Sequence, residues 1–597
     1  MAADCHMINE NNRGEVMKKL MLGNEAVARG AYEAGVNVVS SYPGTPSTEI
    51  TENIAKYDDV YSEWAPNEKV ALEVAIGASI AGARAMSCMK HVGVNVAADP
   101  LFTVSYTGVN GGLVICAADD QGMHSSQNEQ DSRNLAISSK VAMLEPSDSQ
   151  ECKDFTKLAF DISEEYDTPV MLRLSTRISH SQSLVEVGER EERARKEYVK
   201  NPGKYVMMPA MAQARHIVVE DRLVKLTALS EKLAKEEINT DKIGVITAGI
   251  AYQYAKEALG DAASYLKLTM VNPLPVEAIK AFAAKHEKVY VIEELDPVIE
   301  KHCRMLDLNV IGKEAFTLLG EYTAPMIAKA VLGKEAAEHT EAGEDTPVRP
   351  PVMCPGCPHR GMFYVLKKLG LTVSGDIGCY TLGALAPLQS IDACVCMGAS
   401  IGMAHGMEKA AGADFRRNTV AVIGDSTFIH SGITGLIDVV YNKGNSTVII
   451  LDNSITGMTG HQPNPTTGFT IKNEPTKQVN LITLAQAVGV SPEHIRVADP
   501  FDLDNFEKVV KEEVAADEPS VIISQRPCAL LKFVKYDGYC EITDKCKKCK
   551  MCLKLGCPAI TNKDGVISID TSLCNGCGLC QNICKFGAIE KVGGSDA

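Results

Sequence analysis

Short apolar runs recur along this chain in the pattern of strands covered on both faces. Residues 419–423 (TVAVI) and 447–451 (TVIIL) show it best, being β-branched, uninterrupted and too short for a buried helix. Runs at 36–40, 84–90, 112–117 and 169–174 predict further strands, separated by helical segments such as 23–35 and the Ala- and Gly-rich 67–84. In the middle, 243–249, 266–272 and 289–293 alternate with helices and predict a βαβ domain without a cluster of reactive side chains. That domain reads as structural or as a subunit contact. The charged stretch 186–203 predicts a helical connector, and the acidic, then Pro-rich run 335–351 a linker. A strand is also expected at 393–397, where core packing would account for Cys394 and Cys396.

Oxygen-bearing clusters end several of these strands, at the edge where open α/β sheets collect ligands. Gly424-Asp425-Ser426 follows the run 419–423, and Asp452-Asn453-Ser454 follows 447–451. One carboxylate and one amide oxygen suit Mg2+, which usually also takes phosphate oxygens. Two ordinary capped turns would look the same. Glycines at the 398–406 strand-to-helix junction would let a diphosphate approach a helix N-terminus. Near the start, Ser41-Tyr42-Pro43-Gly44-Thr45-Pro46-Ser47 is a rigid turn, with Ser47 expected to cap the next helix. Glu68 precedes Gly77 in an E-x8-G pattern, with Glu73 as its competitor and a surface pair of glutamates as the plain alternative. The polar loop 119–133, with His124 and Arg133 as candidate anion contacts, is either an active-site wall or a solvated loop. His91 is a pocket residue or a packed structural histidine.

Composition narrows the classes. A chain of 597 residues holds several domains, and 45% hydrophobic with 23% charged residues is globular. The net charge of −16 argues against a general nucleic-acid binder. No uninterrupted apolar run is long enough to span a membrane, and the polar start is no signal peptide, so a cytoplasmic protein is expected. Twenty cysteines in a reducing compartment point to metal or redox chemistry. Eight fall between Cys546 and Cys584, as C-x2-C-x2-C-x4-C-P followed by C-x2-C-x2-C-x3-C. Each run gives three thiolates on one loop and a fourth that crosses over. The expected [4Fe–4S] sets are Cys546, Cys549, Cys552 with Cys584, and Cys574, Cys577, Cys580 with Cys557. The duplication resembles bacterial two-cluster ferredoxins, with Lys585 where proline usually follows the last cysteine.

Other stretches resemble thiamine diphosphate (ThDP) enzymes, and more narrowly the 2-oxoacid:ferredoxin oxidoreductases. GDS followed by DN is similar to their GDG…NN motif, with Ser426 in place of the last glycine. NSITGMTGHQPNPTTG is similar to NxxxGMTGGQxSPT, and SYPGTPS to the YPxTPS motif. The resemblance implies that Asp425, Asn453 and the carbonyl of Ile455 hold Mg2+ with the diphosphate. It implies that Gly398, Ser400, Gly402, Gly424, Ser426, Thr456 and Gly457 line the cofactor, and that Glu68 meets N1′ of its aminopyrimidine. Thr45 would meet the substrate's carboxylate end, with His91 nearby. Cys354, Cys357, Cys379 and Cys528 resemble the ligands of a third [4Fe–4S] cluster; zinc or no metal stays open there.

The order of parts is a pyrimidine-type domain (1–195), a transketolase-C-terminal-like domain with connector (196–340), a diphosphate-type domain (341–535) and a two-cluster ferredoxin domain (536–597). Over essentially the full length this is similar to the large subunits of indolepyruvate:ferredoxin oxidoreductases. The similarity implies oxidative decarboxylation of aryl pyruvates with CoA, giving aryl-acetyl-CoA and CO2, with electrons passed to ferredoxin. It also implies a smaller beta subunit, a heteromer of two large and two small chains, and ThDP lying between halves of two large chains. Two rivals remain: a non-oxidative ThDP decarboxylase, and a non-catalytic electron-transfer subunit. Intact cysteine sets count against the first; Glu68, Asp425 and Asn453 count against the second.

Overall fold

Val114, Cys116 and Ala118 of the strand Leu113–Asp119 face one apolar core, while Ile115 and Ala117 face another. A strand buried on both sides belongs in the middle of a covered parallel sheet. The computed structural model describes residues 17–334 and 351–593, so the chain's polar start and most of the expected linker lie outside it. Two compact units are present, 1–340 and 341–597.

The first unit holds a seven-stranded sheet in the order Met270–Asn272, Ala142–Leu144, Val170–Ser175, Leu113–Asp119, Ala85–Lys90, Val38–Ser41, Tyr61–Trp64. All its pairings are parallel except that of Met270–Asn272. A four-stranded sheet follows the order Lys288–Ile292, Ile243–Thr247, Ser264–Lys267, Lys235–Glu237. The expected single strand 266–272 is therefore divided. Ser264–Lys267 belongs to the smaller sheet and Met270–Asn272 to the larger, because the crossing at Leu268 and Thr269 stays buried and hydrogen-bonded. Leu268 donates to the Thr247 carbonyl at 2.9 Å, and Thr269 accepts from the Glu145 amide at 3.0 Å.

The expected helix at 186–203 is also corrected. After the strand Gln182–Glu186, residues 187–201 contain no helix. This segment is a strap whose amides bond to the domain beneath it, Glu191 to the Glu33 carbonyl and Lys196 to that of Gly82, both at 2.9 Å. Gly82 has φ +94, and a Cβ there would lie 1.9 Å from the Lys196 carbonyl oxygen. Arg190 spends its guanidinium on the carbonyls of Tyr32 and Val36.

In the second unit five parallel strands run in the order Thr372–Ser374, Thr419–Gly424, Thr447–Asp452, Ser520–Gln525, Ile495–Ala498. Val420, Val422, Ile449 and Leu451 face one core, and Ala421, Ile423, Val448 and Ile450 the other. The strand expected at 393–397 is only a single bridge, Ser374 to Ala393. Beyond that sheet edge Cys394 is half-buried and Cys396 exposed, so core packing does not account for them. The cysteine-rich end pairs Tyr539–Ile542 with Ile589–Val592 and Ile560–Lys563 with Val566–Ile569, both antiparallel. Its Cys540, Leu555, Leu579 and Ile583 share a core with Met353, Phe363 and Leu366. Among the described residues no helix is long and apolar enough to cross a membrane.

Candidate active site

In the first unit the candidate residues gather at the carboxyl edge of Val38–Ser41 and Ala85–Lys90. Glu68 opens the helix Glu68–Ile80, whose cap is Asn67, accepting from the Val70 amide at 2.9 Å. Glu68 is 4% exposed and lies against Gly93, whereas Glu73 is exposed and pairs with Lys69. Ser47 is not a side-chain cap: its hydroxyl donates back to the Gly44 carbonyl at 2.7 Å and tightens the turn holding Thr45. The Thr45 carbonyl accepts from the Ser125 hydroxyl at 3.2 Å. His91 is fully buried; its Nε2 meets the Asn128 carbonyl at 3.2 Å and its Nδ1 has no partner. Burial holds its pKa below the usual range.

The loop 119–133 is neither a plain wall nor plainly solvated. Asp120 anchors it, accepting from Ser125, Ser126 and Thr176. Arg133 is removed as an anion contact. It is fully buried, pairs with Asp131 and Glu293 at 2.6 Å each, and donates to the carbonyls of Glu294 and Asp296. His124 pairs with Glu321 at 3.1 Å. A residue the motifs missed, Lys90, is 8% exposed and packs its stem on Gly44. Its ammonium donates to the Ser125 carbonyl at 3.0 Å. Burial, partly offset by Asp120 and Glu68, pushes its pKa down to about 8. Only its place beside the Thr45 turn distinguishes it.

In the second unit the strand Thr419–Gly424 passes into Asp425–Thr427 and then a π-helical turn, Phe428–Gly432. Asp425 is 2% exposed, accepts from the Ser426 amide at 2.7 Å and from the Thr466 hydroxyl at 3.3 Å, and has no basic partner among the described residues. Burial and the neighbouring Asp452 push its carboxyl up to about 7. Such an acid suits a divalent cation. Asn453, at the end of the next strand, accepts from the Ile455 amide at 3.4 Å, and its Nδ2 lies 3.4 Å from Nε2 of His359. Burial carries His359 down to about 4, so it stays neutral. Thr456 exchanges backbone bonds with Gln462, and Gly424 packs against the Tyr380 ring. The glycine turn departs from expectation. Gly398 is left-handed (φ 83), but its amide and that of Ser400 donate to the Asp376 carboxylate at 2.8 and 3.0 Å. Those two amides are already spent, while the Gly402 side of the helix is open.

The cysteines form groups around these loops. Cys557, Cys574, Cys577 and Cys580 line one cavity, together with Cys540, Pro355, Gly356 and Arg360. Cys552 feels the charge of Cys549 and Cys546, and the Cys546 and Cys584 sulfurs accept amides from Lys548 and Ala588. Cys357 feels the charge of Cys354 and Cys379, Cys379 that of Cys528 and Cys354, and Cys528 that of Cys354. Burial pushes Cys357 up to about 12 and Cys379 to about 11, so these thiols ionise only with a metal's charge beside them. Among the described residues no three His, Cys, Asp or Glu converge as a single ion requires. Thiols spread around a cavity fit a multi-iron cluster better than zinc.

Three families match this chain: the pyruvate flavodoxin/ferredoxin oxidoreductase, thiamine diP-binding domain over residues 29–238, the thiamine pyrophosphate enzyme C-terminal TPP binding domain over 376–524, and the 4Fe-4S binding domain over 567–590. Indolepyruvate oxidoreductase subunit IorA of Archaeoglobus fulgidus is 40% identical, with 98% of this chain and 100% of the relative covered. The chain belongs to the indolepyruvate oxidoreductase IorA-subunit family. The Pyrococcus horikoshii IorA subunit is 39% identical over 96% of this chain and 97% of its own. A solved 2-oxoglutarate:ferredoxin oxidoreductase from Magnetococcus marinus is similar at 19% identity over 55% of this chain and 67% of that one, with a TM-score of 0.47. Family membership makes the chain an oxidoreductase of the 2-oxoacid:ferredoxin class with TPP-binding and 4Fe–4S domains. The matched segments contain Thr45, Glu68 and His91 in the first, Asp376, Asp425 and Asn453 in the second, and Cys574 to Cys584 in the third.

Proposed function

We propose that this chain is the large subunit of an enzyme that oxidatively decarboxylates aryl pyruvates of the indolepyruvate or phenylpyruvate type. CoA takes the acyl group as aryl-acetyl-CoA, CO2 leaves, and the electrons go to ferredoxin. The observation that carries this reading is one backbone bond. The Asn453 carbonyl accepts from the Cys528 amide at 2.9 Å, and Gly457 lies against the Cys379 sulfur. The loop with Mg2+-type donors is thus stitched to a cysteine group, an arrangement a non-oxidative decarboxylase has no use for. The names of the IorA relatives support the aryl substrate.

ThDP, when bound, supplies an electron sink for the 2-oxoacid's carbonyl carbon, and [4Fe–4S] clusters take up electrons singly. Asp425, Asn453 and the Ile455 carbonyl would hold Mg2+ with the diphosphate. Glu68, buried and fixed by Gly93, would accept a hydrogen bond from the aminopyrimidine ring. Thr45 would hold the substrate carboxylate, with His91 as a neutral neighbour. Cys546, Cys549, Cys552 and Cys584 would hold one cluster, Cys557, Cys574, Cys577 and Cys580 a second, and Cys354, Cys357, Cys379 and Cys528 a third. A smaller beta chain, two of each subunit and a cytoplasmic setting complete the proposal.

The test is an anaerobic assay of the chain with its beta partner, ThDP, Mg2+ and ferredoxin over a panel of 2-oxoacids, with and without CoA. CoA-dependent ferredoxin reduction, fastest with indolepyruvate or phenylpyruvate, is expected. Aldehyde and CO2 without reduced ferredoxin would make the chain a decarboxylase.

A further inference from the structure

Arg360 lies on the first turn of the helix His359–Leu369 and is 3% exposed. Its Nη2 donates to the carbonyls of Met353 and Cys354 at 2.7 and 3.1 Å, and its Nη1 to that of Leu555 at 2.7 Å. Its Nε is buried without a partner, and among the described residues no carboxylate pairs with it. A buried guanidinium bound only to neutral carbonyls is costly unless negative charge faces it.

Thiols surround it on two sides. The Met353 and Cys354 carbonyls belong to the C-x2-C loop of the group Cys354, Cys357, Cys379 and Cys528. Arg360 also lines the cavity of Cys557, Cys574, Cys577 and Cys580. Its charge reaches one sulfur of each group, Cys357 and Cys557. The two groups share a wall: Pro355 and Gly356, between Cys354 and Cys357, line the second group's cavity, and the Asn575 amide donates to the Pro355 carbonyl at 3.1 Å. A doubly positive four-iron core held by four thiolates is a dianion, and reduction adds one more negative charge. Loaded clusters would supply the missing countercharge from both sides.

We propose that Arg360 is the shared countercharge of the clusters held by these two cysteine groups, and that it raises the reduction potential of both. The proposal rests on the reading that these cysteines hold [4Fe–4S] clusters. A fixed positive charge in a poorly solvated site favours the state with the extra electron. By the same argument it eases the mutual repulsion of two clusters reduced together.

The experiment is an EPR-monitored redox titration of the anaerobically purified full chain with its beta partner, in wild type, Arg360→Met and Arg360→Lys, with iron content measured alongside. In Arg360→Met two of the three couples should become at least tenfold harder to reduce, 59 mV or more for one electron. Arg360→Lys, which keeps the charge without the forked carbonyl contacts, should recover most of that shift. Loss of iron in Arg360→Met but not in Arg360→Lys also supports a charge requirement. Unchanged potentials in Arg360→Met at full iron content would overturn the proposal. Equal shifts, or equal iron loss, in both variants would overturn it in favour of a carbonyl staple. A wild-type protein without iron would refute the cluster reading itself, which is a different failure.

Discussion

A methyl group at Gly93 would lie 2.7 Å from Oε1 of Glu68 and 2.8 Å from its Cγ. Gly93→Ala should therefore displace the carboxylate and lower kcat about tenfold or more, roughly 1.4 kcal/mol in the barrier, with iron content unchanged. Glu68→Ala should abolish turnover with its clusters intact; activity at the wild-type level would return the role to Glu73. The E-x8-G spacing to Gly77 favoured Glu68 over Glu73 on the same helix, and Glu68 is the one that is buried. Arg133 looked like an anion contact because its loop is polar, yet its partner Glu293 lies far along the chain. Lys90 carries a pH signature. Its folded pKa of about 8 lies below its ordinary 10.5, so between those values the unfolded chain binds more protons and stability rises with pH. Over that window wild type should gain about 3 kcal/mol relative to Lys90→Met, read from paired thermal melts.

Parallel strands were the most legible elements, because fully buried β-branched runs have few other solutions. Thr419–Gly424 and Thr447–Asp452 extend the expected runs by one residue each. What failed was whatever depended on a distant surface. Residues 187–201 carry helix-compatible charges but satisfy their amides on another element, and 393–397 runs off a sheet edge. The loop around Asp425 and Asn453 carries a readable motif, whereas the residues that contact it and the Gly398 turn do not: Asp376, Thr466 and His359 come from separate segments and are recognisable only by contact. Cys354→Ala tests the third cysteine group directly. About four irons per chain should be lost, with the C-terminal clusters retained; full iron content would remove that cluster.

At the scale of the molecule, the ferredoxin-like end is not an appendage on a tether. Arg360 bonds Leu555, Asn582 donates to the Phe501 carbonyl at 2.8 Å, and one core runs through both parts. Phe363, fully buried in that core, should cost about 3–5 kcal/mol on truncation to alanine. Loss of C-terminal iron should accompany the fall in melting temperature. The order of the TPP-binding and 4Fe–4S segments was legible from motif order, but this shared core was not, since no sequence pattern says which apolar residues face which neighbour.

In the first unit, one stretch of backbone stitches two sheets together. Ser264–Lys267 and Met270–Asn272 belong to different ladders with only two residues between them. Freeing either ladder pulls on the other, so the four-stranded sheet lacks the slack to unfold alone. Calorimetry of the first unit should record one cooperative transition, and the amides of the two ladders should exchange with deuterium together rather than in sequence. For this part of the chain, the sheet-to-sheet crossing acts as a thermodynamic weld.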